Sequence, residues 1–189
     1  MNKLIGLYSH SPGQGKTTVA VTLRRHHGYR IMPFAAPIKN VLTEFLGENG
    51  FGLDEKKAGD LVYDPLLKDT VIPALGVTPR YLMQTLGTEW GRKLICPDVW
   101  VNSWASRVAH ANAWDGRVVA DDVRFPNEVD RIRVLGGEIW RIVRTGHEID
   151  SVELATAHES EGALAGITPD RVIVNSGTVE DLATLISRL

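Results

Sequence analysis

The sequence contains one cysteine, Cys96, and no long apolar run. An internal disulfide needs two cysteines, so none can form, and a lone cysteine is most often a small buried apolar residue. We therefore expect a reducing compartment such as the cytoplasm. No apolar stretch approaches the roughly 18 residues that a membrane-spanning helix requires. The first residues lead straight into a strand-like run, so we also expect no signal peptide.

The chain also lacks a surplus of charge of either sign. It carries 21 lysines and arginines against 23 aspartates and glutamates, a formal net charge of -2. A nucleic-acid polymer or an anionic membrane favours a strongly basic surface, so we expect neither as a partner. At 189 residues we expect a single domain over 1–189. The Gly-, Asp-, Lys- and Pro-rich stretch 47–78 is predicted to be a mobile substrate or lid insertion, with a solvated surface connection as the alternative.

A glycine-rich turn between an apolar run and a helical pattern is the most informative segment present. It reads S-H-S-P-G-Q-G-K-T-T over 9–18 and fits G-x-x-x-x-G-K-[ST], except that His10 replaces the first glycine. In this pattern backbone N–H groups cradle phosphates, Lys16 reaches the β- and γ-phosphates and the Thr17 hydroxyl holds Mg²⁺. The alternative is a strand-to-helix turn that binds nothing. We expect nucleotide binding by Gly13, Gln14, Gly15, Lys16, Thr17 and Thr18.

Strand patterns alternate with helix patterns along the chain. This alternation predicts an α/β fold with a parallel central sheet that helices cover on both faces. Ligands bind at the carboxyl ends of strands in such sheets, where the glycine-rich turn falls. The predicted strands are 3–8, 29–34, 116–120, 138–144 and 171–174. The predicted helices are 16–27, 37–46, 78–94, 98–111, 126–135 and 178–189, with partial helix over 151–166.

Two acidic residues, Asp121 and Asp122, follow the apolar strand that ends at Ala120. In phosphate-loop enzymes an acid at this place holds the Mg²⁺ shell or accepts a substrate proton. Adjacent side chains on an extended strand point to opposite faces, so we expect only one of the two to face the phosphates. The alternative is a turn-forming pair, since Asp is common in turns.

Polar side chains continue after this pair. Arg124 is predicted to clamp a phosphoryl group, because a guanidinium recognises phosphate through two parallel hydrogen bonds. Asn127 and Glu128 open the next helix, where capping and ligand binding are equally open interpretations.

The helix predicted from Pro79 has a polar stripe, formed by Arg80, Gln84, Thr88 and Arg92 at four-residue intervals. Leu82, Leu86, Trp90 and Leu94 form the opposite, apolar side. Gly87 and Gly91 lie beside the polar stripe, and two glycines inside a helix indicate that something approaches closely. A nucleotide base, a sugar or a neighbouring helix satisfies that condition. Glu89 is predicted to pair with a basic residue in the interior. A solvated amphipathic helix is the plainer alternative.

Three further segments carry polar residues. The strand 138–144 brings Arg141 and Arg144 towards its end. The cluster 158–161, H-E-S-E, has no metal-ligand spacing with other histidines or cysteines, so we do not expect zinc. The link 175–178, N-S-G-T, is typical of a turn followed by a helix cap.

Together these segments resemble the bacteriophage deoxynucleoside monophosphate kinases, which belong to the P-loop nucleoside monophosphate kinases. The resemblance covers nearly the whole chain. It rests on the phosphate loop and on five further runs. These runs are Phe34–Lys39 (F-A-A-P-I-K), Arg80–Glu89 (R-Y-L-M-Q-T-L-G-T-E), Asp121–Glu128 (D-D-V-R-F-P-N-E), His158–Glu161 and Ile173–Thr178 (I-V-N-S-G-T).

The resemblance implies a three-layer P-loop NTPase fold and transfer of the ATP γ-phosphoryl group to a deoxynucleoside monophosphate with Mg²⁺. It implies Lys16 for the β- and γ-phosphates, Thr17 for Mg²⁺, and Asp121 or Asp122 for the metal-water shell. Contacts to acceptor or transferring phosphates are implied for Arg124, Arg80 and Arg92. An acceptor pocket is implied at Gln84, Thr88, Glu89 and Lys39, and closing arginines at Arg141 and Arg144. Relatives suggest a homodimer and, for a phage-encoded enzyme, the host cytoplasm.

Other functions remain open at this point. A kinase of another small molecule, such as dephospho-coenzyme A, shares the phosphate loop and the F-A-x-P-[LI]-K run. A phosphate-loop switch binds nucleotide without acceptor-dependent turnover, and a structural protein with a vestigial loop has no ATP affinity. The sequence alone does not give the accepted bases or the preference between ribose and deoxyribose.

Overall fold

The computed structural model describes residues 3–48, 50–112, 116–145, 163–164 and 166–189. The chain forms two compact units. The sheet unit comprises Met1–Phe34 and Trp104–Leu189, and the helical unit comprises Ala35–Ser103. The polar cluster predicted at 158–161 lies outside the described residues, as does most of the partial helix predicted over 151–166.

The sheet unit is built on parallel strands, as the alternating pattern predicted. The described strands are β1 (Leu4–Tyr8), β2 (Tyr29–Ile31), β3 (Arg117–Ala120), β4 (Glu138–Arg144) and β5 (Arg171–Asn175). They lie in the order β2-β3-β1-β4-β5, with every described pairing parallel. β1 is thus central, and the loop that follows it lies at the carboxyl edge of the sheet.

Helices cover both faces of this sheet. On one face Ile5 and Leu7 pack against α1 (Lys16–His27) and the closing helix α7 (Val179–Ser187). On the other face Gly6 lies so close to α6 (Pro126–Val134) that an added Cβ would be 2.5 Å from Ile132 Cδ1. Every residue of β1 is buried, as a strand covered on both faces requires.

The helical unit contains α2 (Ala36–Leu46), α3 (Glu55–Tyr63), α4 (Pro79–Gln84) and the start of α5 (Val99–Asn112). α5 continues into the sheet unit. The core of the helical unit consists of Ile38, Leu42, Leu46, Ala58, Val62, Ile72 and Trp100. No helix among the described residues combines the length and apolar character that crossing a membrane demands.

The stretch 47–78, for which the sequence predicted no helix, contains α3. Its start is capped because Asp54 Oδ1 accepts a hydrogen bond from Lys57 N at 2.9 Å. Ala58 and Val62, four residues apart, are its buried side chains. The charged residues around these two positions obscure the helical pattern in the sequence.

The helix predicted over 78–94 has the expected extent but not the expected type. Thr78 Oγ1 caps its start by accepting from Tyr81 N at 3.1 Å. From Thr85 to Ile95 the chain is a π-helix, and its last bond joins Cys96 N to Gly91 O at 3.0 Å, five residues back. Such a helix turns less per residue than an α-helix, so the directions of side chains predicted from α-helical geometry do not carry over to it. Leu82 and Leu86 pack in the core, whereas Trp90 is 46% exposed and Leu94 75% exposed.

The two glycines of this helix make room for a neighbouring helix. Trp100 of α5 donates from its indole Nε1 to Gly87 O at 2.7 Å. A Cβ at Gly91 would lie 2.6 Å from the same indole. The neighbouring-helix alternative therefore explains Gly91, and a Cβ at Gly87 would lie 3.2 Å from Ile38 Cδ1 of α2.

We predict that Gly91→Ala destabilises the protein although alanine is the better helix former. The new methyl overlaps the Trp100 indole, and overpacking of this kind costs about 1–3 kcal/mol of unfolding free energy. The measurement is urea unfolding followed by far-UV circular dichroism. Gly59→Ala is the matched control, because a Cβ at Gly59 in α3 meets nothing within 4 Å. That variant should gain up to about 1 kcal/mol, and equal stability of the two variants would contradict the packing argument.

Candidate active site

The phosphate loop connects β1 to α1 and needs glycine at its end. Gly15 has φ 109° and Gly13 has φ 74°, both in the left-handed region. A Cβ on Gly15 would lie 2.7 Å from Leu182 Cδ2 and 3.1 Å from Asn175 Nδ2. Backbone conformation and space therefore both exclude a side chain at Gly15. The loop lies against the closing helix α7 and the end of β5.

The side chain of Lys16 folds back over this loop. Its Nζ donates to Ser9 Oγ, and Ser9 Oγ donates to Ser11 O at 2.7 Å. Thr17 is exposed on the first turn of α1, and that turn contains no acidic residue. The N-terminus of a helix carries partial positive charge and unpaired N–H groups. The predicted nucleotide-binding residues thus surround a site that favours an anion.

Gln14 ties the loop to the ends of two strands. Its side chain is only 5% exposed, and its Oε1 accepts from Arg144 N at 2.6 Å. Its backbone oxygen accepts from Asn175 Nδ2 at 3.1 Å. Asn175, interpreted from sequence as part of an ordinary turn, is instead a buried support of the phosphate loop. The sequence signal was the position of Asn175 two residues after Ile173. Residues two apart on a strand lie on the same face, and here both lie on the buried face of β5.

His10 occupies the place of the first glycine in the motif. Its ring meets the Tyr8 ring edge-on, with centroids 5.8 Å apart. Burial lowers the pKa of His10, and the positive charge of Arg141 lowers it further. His10 therefore holds its proton less readily than an exposed histidine.

Asp121 and Asp122 follow β3, whose last residue pairs with Gly6 of β1. This register places the two acids beside the strand that leads into the phosphate loop. Asp122 Oδ1 accepts from Phe34 N at 2.8 Å. Carboxylate and hydroxyl oxygens are the ligands that Mg²⁺ uses together with substrate phosphates. The donor set of Thr17 and an aspartate therefore fits Mg²⁺. Within the described ranges, no three His, Cys, Asp or Glu side chains gather as a metal site of their own.

Glu128 caps α6 rather than reaching for a ligand. It is 3% exposed, and its Oε2 accepts from Arg124 N at 2.7 Å and from Phe125 N at 3.1 Å. For Glu128, the choice between helix capping and ligand binding is therefore decided in favour of capping. The side chain of Arg124 itself is exposed just beyond β3.

The arginines of β4 lie towards the end of the strand, as the pattern predicted, and this end is near the phosphate loop. Arg141 is half-buried and pairs in register with Tyr8, the last residue of β1. Arg144 pairs with Asn175, and its backbone N–H holds Gln14. The sheet unit thus brings together Lys16, Asp121, Asp122, Arg124, Arg141 and Arg144 at one edge of the sheet.

The helical unit holds the residues predicted for the acceptor, and two of them have partners that the sequence did not reveal. Arg80 forms an exposed bidentate ion pair with Asp69, with Nε–Oδ1 at 2.6 Å and Nη2–Oδ2 at 2.9 Å. Hydrogen bonding from Arg80 lowers the pKa of Asp69. Glu89 pairs with Lys93 at 2.9 Å on the surface. The predicted interior pairing of Glu89 was wrong, because the π-helix turns this residue towards solvent.

The other acceptor candidates are at least partly covered. Lys39 of α2 lies over the Tyr63 ring, 4.8 Å from its centroid. Arg92 donates from Nη1 to Pro97 O at 3.3 Å. Gln84 and Thr88 are half-buried on the same helix. The polar stripe therefore exists, although its second half follows π-helical geometry.

Arg107, in the part of α5 that belongs to the sheet unit, is a residue whose place near the site the sequence did not reveal. Its Nη2 donates to Pro33 O at 2.7 Å, and its Nε has no acceptor in the part of the chain that is described. Burial lowers the pKa of Arg107, while the charge of Asp122 raises it. The only sequence signal was an arginine among the apolar residues of W-A-S-R-V-A.

We predict that His10 makes the protein less stable in acid. Because the folded state lowers the pKa of His10, the unfolded chain binds this proton more tightly. Stability therefore falls as pH drops below the ordinary histidine value of about 6.5 and levels off below the folded pKa. Urea unfolding between pH 8 and pH 5 should show a smaller loss for His10→Asn than for the unmodified protein. The exposed His110 provides the control, and an identical pH slope for His10→Asn and His110→Asn would refute the assignment.

Two similarities to known proteins agree with this site. Residues 70–186 match the family model described as deoxynucleotide monophosphate kinase. A protein of Acanthamoeba polyphaga mimivirus, named "Putative deoxynucleotide monophosphate kinase", is 32% identical to this chain over 199 residues. The alignment covers 97% of this chain and 93% of the viral protein. This chain therefore belongs to the deoxynucleotide monophosphate kinase family.

Proposed function

We propose that the protein transfers the γ-phosphoryl group of ATP to a deoxynucleoside monophosphate, giving the diphosphate and ADP. The observation that carries this proposal is the phosphate loop, in which Gly15 and Lys16 open α1 at the carboxyl edge of the sheet. Asp121 and Asp122 lie at the same edge. Membership of the family supports a deoxynucleoside monophosphate as the acceptor.

The donor side of the reaction needs positioning and charge neutralisation rather than covalent chemistry. Backbone N–H groups of the loop and of the first turn of α1 would bind the β- and γ-phosphates. Lys16 would exchange its contact with Ser9 for phosphate oxygens. Thr17 and Asp121 would hold Mg²⁺ with its water shell. When bound, the ion supplies positive charge against the phosphates.

Arginines would stabilise the charge that spreads over the transferring group. In the sheet unit Arg124, Arg141 and Arg144 are the candidates. Arg124 is exposed at the sheet edge, whereas Arg141 is half-buried beside Tyr8. Covering the phosphates would also exclude water, which otherwise hydrolyses ATP.

The helical unit would supply acceptor contacts. A guanidinium held in a bidentate pair has a fixed plane, so Asp69 would orient Arg80 for the acceptor phosphate. Contacts to the rest of the acceptor would come from Lys39, Gln84, Thr88, Glu89 and Arg92.

We predict that Lys16→Ala abolishes acceptor-dependent turnover. Loss of one positioned charge from the transferring group costs about 100-fold to 1000-fold in rate. The assay couples ADP release to a colour change, with ATP, Mg²⁺ and each of the four deoxynucleoside monophosphates. The ribose forms and dephospho-coenzyme A are run in parallel. Lys56→Ala, which loses only an exposed pair with Asp60, should keep full activity.

Three results of this assay would contradict the proposal. They are ADP release that ignores every acceptor, preference for dephospho-coenzyme A, and full activity of Lys16→Ala. The first indicates a hydrolysing switch, and the second indicates a kinase of another small molecule. The third indicates a loop that does not take part in the reaction.

We further propose that the enzyme is a homodimer and acts in the cytoplasm. The dimer rests on the family resemblance, and the compartment rests on the lone cysteine. Size-exclusion chromatography with light scattering should give twice the chain mass of 20.8 kDa. A mass that stays at 20.8 kDa over the working concentration range would contradict the dimer.

A further inference from the structure

The two places where the chain passes between its units are fastened together inside the sheet unit. The chain leaves this unit after Phe34 and returns to it at Trp104. The rings of Phe34 and Trp104 stack, with centroids 4.3 Å apart and planes inclined by 24°. Trp104 Nε1 donates to Met32 O at 2.8 Å. The departing segment Met32–Phe34 is therefore held from the α5 side.

The same segment is held a second time by charged side chains. Arg107, one turn after Trp104, donates to Pro33 O at 2.7 Å. Asp122, which follows β3, accepts through Oδ1 from Phe34 N at 2.8 Å. The charge of Asp122 compensates that of Arg107, which burial penalises. Asp122 thus takes part in a network whose other members are α5 and the segment Met32–Phe34.

This network ties Asp122 to the start of the run that leads into α2. Phe34 opens the F-A-A-P-I-K run, and α2 with Lys39 follows at once. A shift of Met32–Phe34 would therefore move the start of the run that carries a predicted acceptor contact.

We propose that the two adjacent aspartates have different tasks, Asp121 in the metal-water shell and Asp122, with Arg107, as a positioning residue for the acceptor side. This inference rests on the proposed kinase function. It gives the second aspartate a task of its own, which kinetics can separate from the metal role of Asp121. Asp122 acts through Phe34 and not through contact with the reacting atoms.

The test compares Asp122→Ala with Asp121→Asn in the full-length protein. For Asp122→Ala we expect the KM for the deoxynucleoside monophosphate to rise about 10- to 100-fold, because small misplacements carry costs of this size. The KM for ATP and the Mg²⁺ concentration at half-maximal rate should change by less than about twofold, because Asp122 is proposed to position the acceptor side and not the donor side. For Asp121→Asn we expect the opposite, a raised Mg²⁺ requirement with an unchanged acceptor KM. Asp130→Asn, an exposed change on α6, is the control and should match the unmodified protein.

A second pair of variants keeps the test decisive if Asp122→Ala fails to fold. Arg107→Met keeps an unbranched side chain about as long as the stem of arginine and removes the charge and the donors, so it should raise the acceptor KM as Asp122→Ala does. Arg107→Lys keeps the positive charge, so its acceptor KM should lie between that of Arg107→Met and that of the unmodified protein. Because the two residues form one network, the double variant of Asp122 and Arg107 should raise the acceptor KM by less than the product of the two single fold-changes.

Each outcome decides a different claim. A raised Mg²⁺ requirement in Asp122→Ala, with acceptor KM unchanged, would overturn the division of tasks while leaving the kinase function intact. An Arg107→Met variant with unchanged acceptor KM would overturn it as well. If the unmodified protein turns over no deoxynucleoside monophosphate, the proposed function fails, and this inference fails with it. Calorimetric titration of each variant with Mg·ADP and with the monophosphate separates the two binding steps without relying on turnover.

Discussion

The close approach of the phosphate loop to the end of β5 and to α7 is the constraint on which the site depends. A loop that binds phosphate through its backbone must hold its N–H groups in place before the ligand arrives. Here the buried side chain of Gln14 accepts from Arg144 N, and the amide of Asn175 donates to Gln14 O, so two hydrogen bonds hold the loop in place. Gly15 lies so close to Leu182 that even a Cβ would not fit between them. The central position of β1 then places this rigid loop beside Asp121, Asp122 and the arginines of β4.

The elements of the sheet unit could largely be predicted from sequence, because apolar periodicity and turn residues determine them locally. β4 was predicted at its observed bounds, and α1 likewise. The strand predicted over 29–34 ends at Ile31 instead, since Pro33 lacks the N–H that a continuing ladder needs. The phosphate-loop motif predicted the position of the site for a physical reason, since a loop after a parallel strand reaches the carboxyl edge.

The features that sequence did not reveal depend on contacts between distant residues. The π-helix over 85–95 has no residue pattern of its own, and it reversed the prediction for Glu89. Arg107 and Asp122 gain their significance only when α5, β3 and the segment after β2 come together. The pairing of Arg80 with Asp69 spans eleven positions across an irregular stretch. Such contacts follow from packing, which a local pattern does not contain.

In the proposed reaction one phosphoryl group moves intact from the donor nucleotide to the acceptor nucleotide. ³¹P NMR of the protein with Mg·ATP and one accepted deoxynucleoside monophosphate tests this most directly, because it identifies every phosphorus-containing product. We expect ADP and the deoxynucleoside diphosphate to appear in equal amounts, with no inorganic phosphate beyond that of a protein-free sample. ADP accompanied by inorganic phosphate, with the monophosphate unchanged, would contradict it.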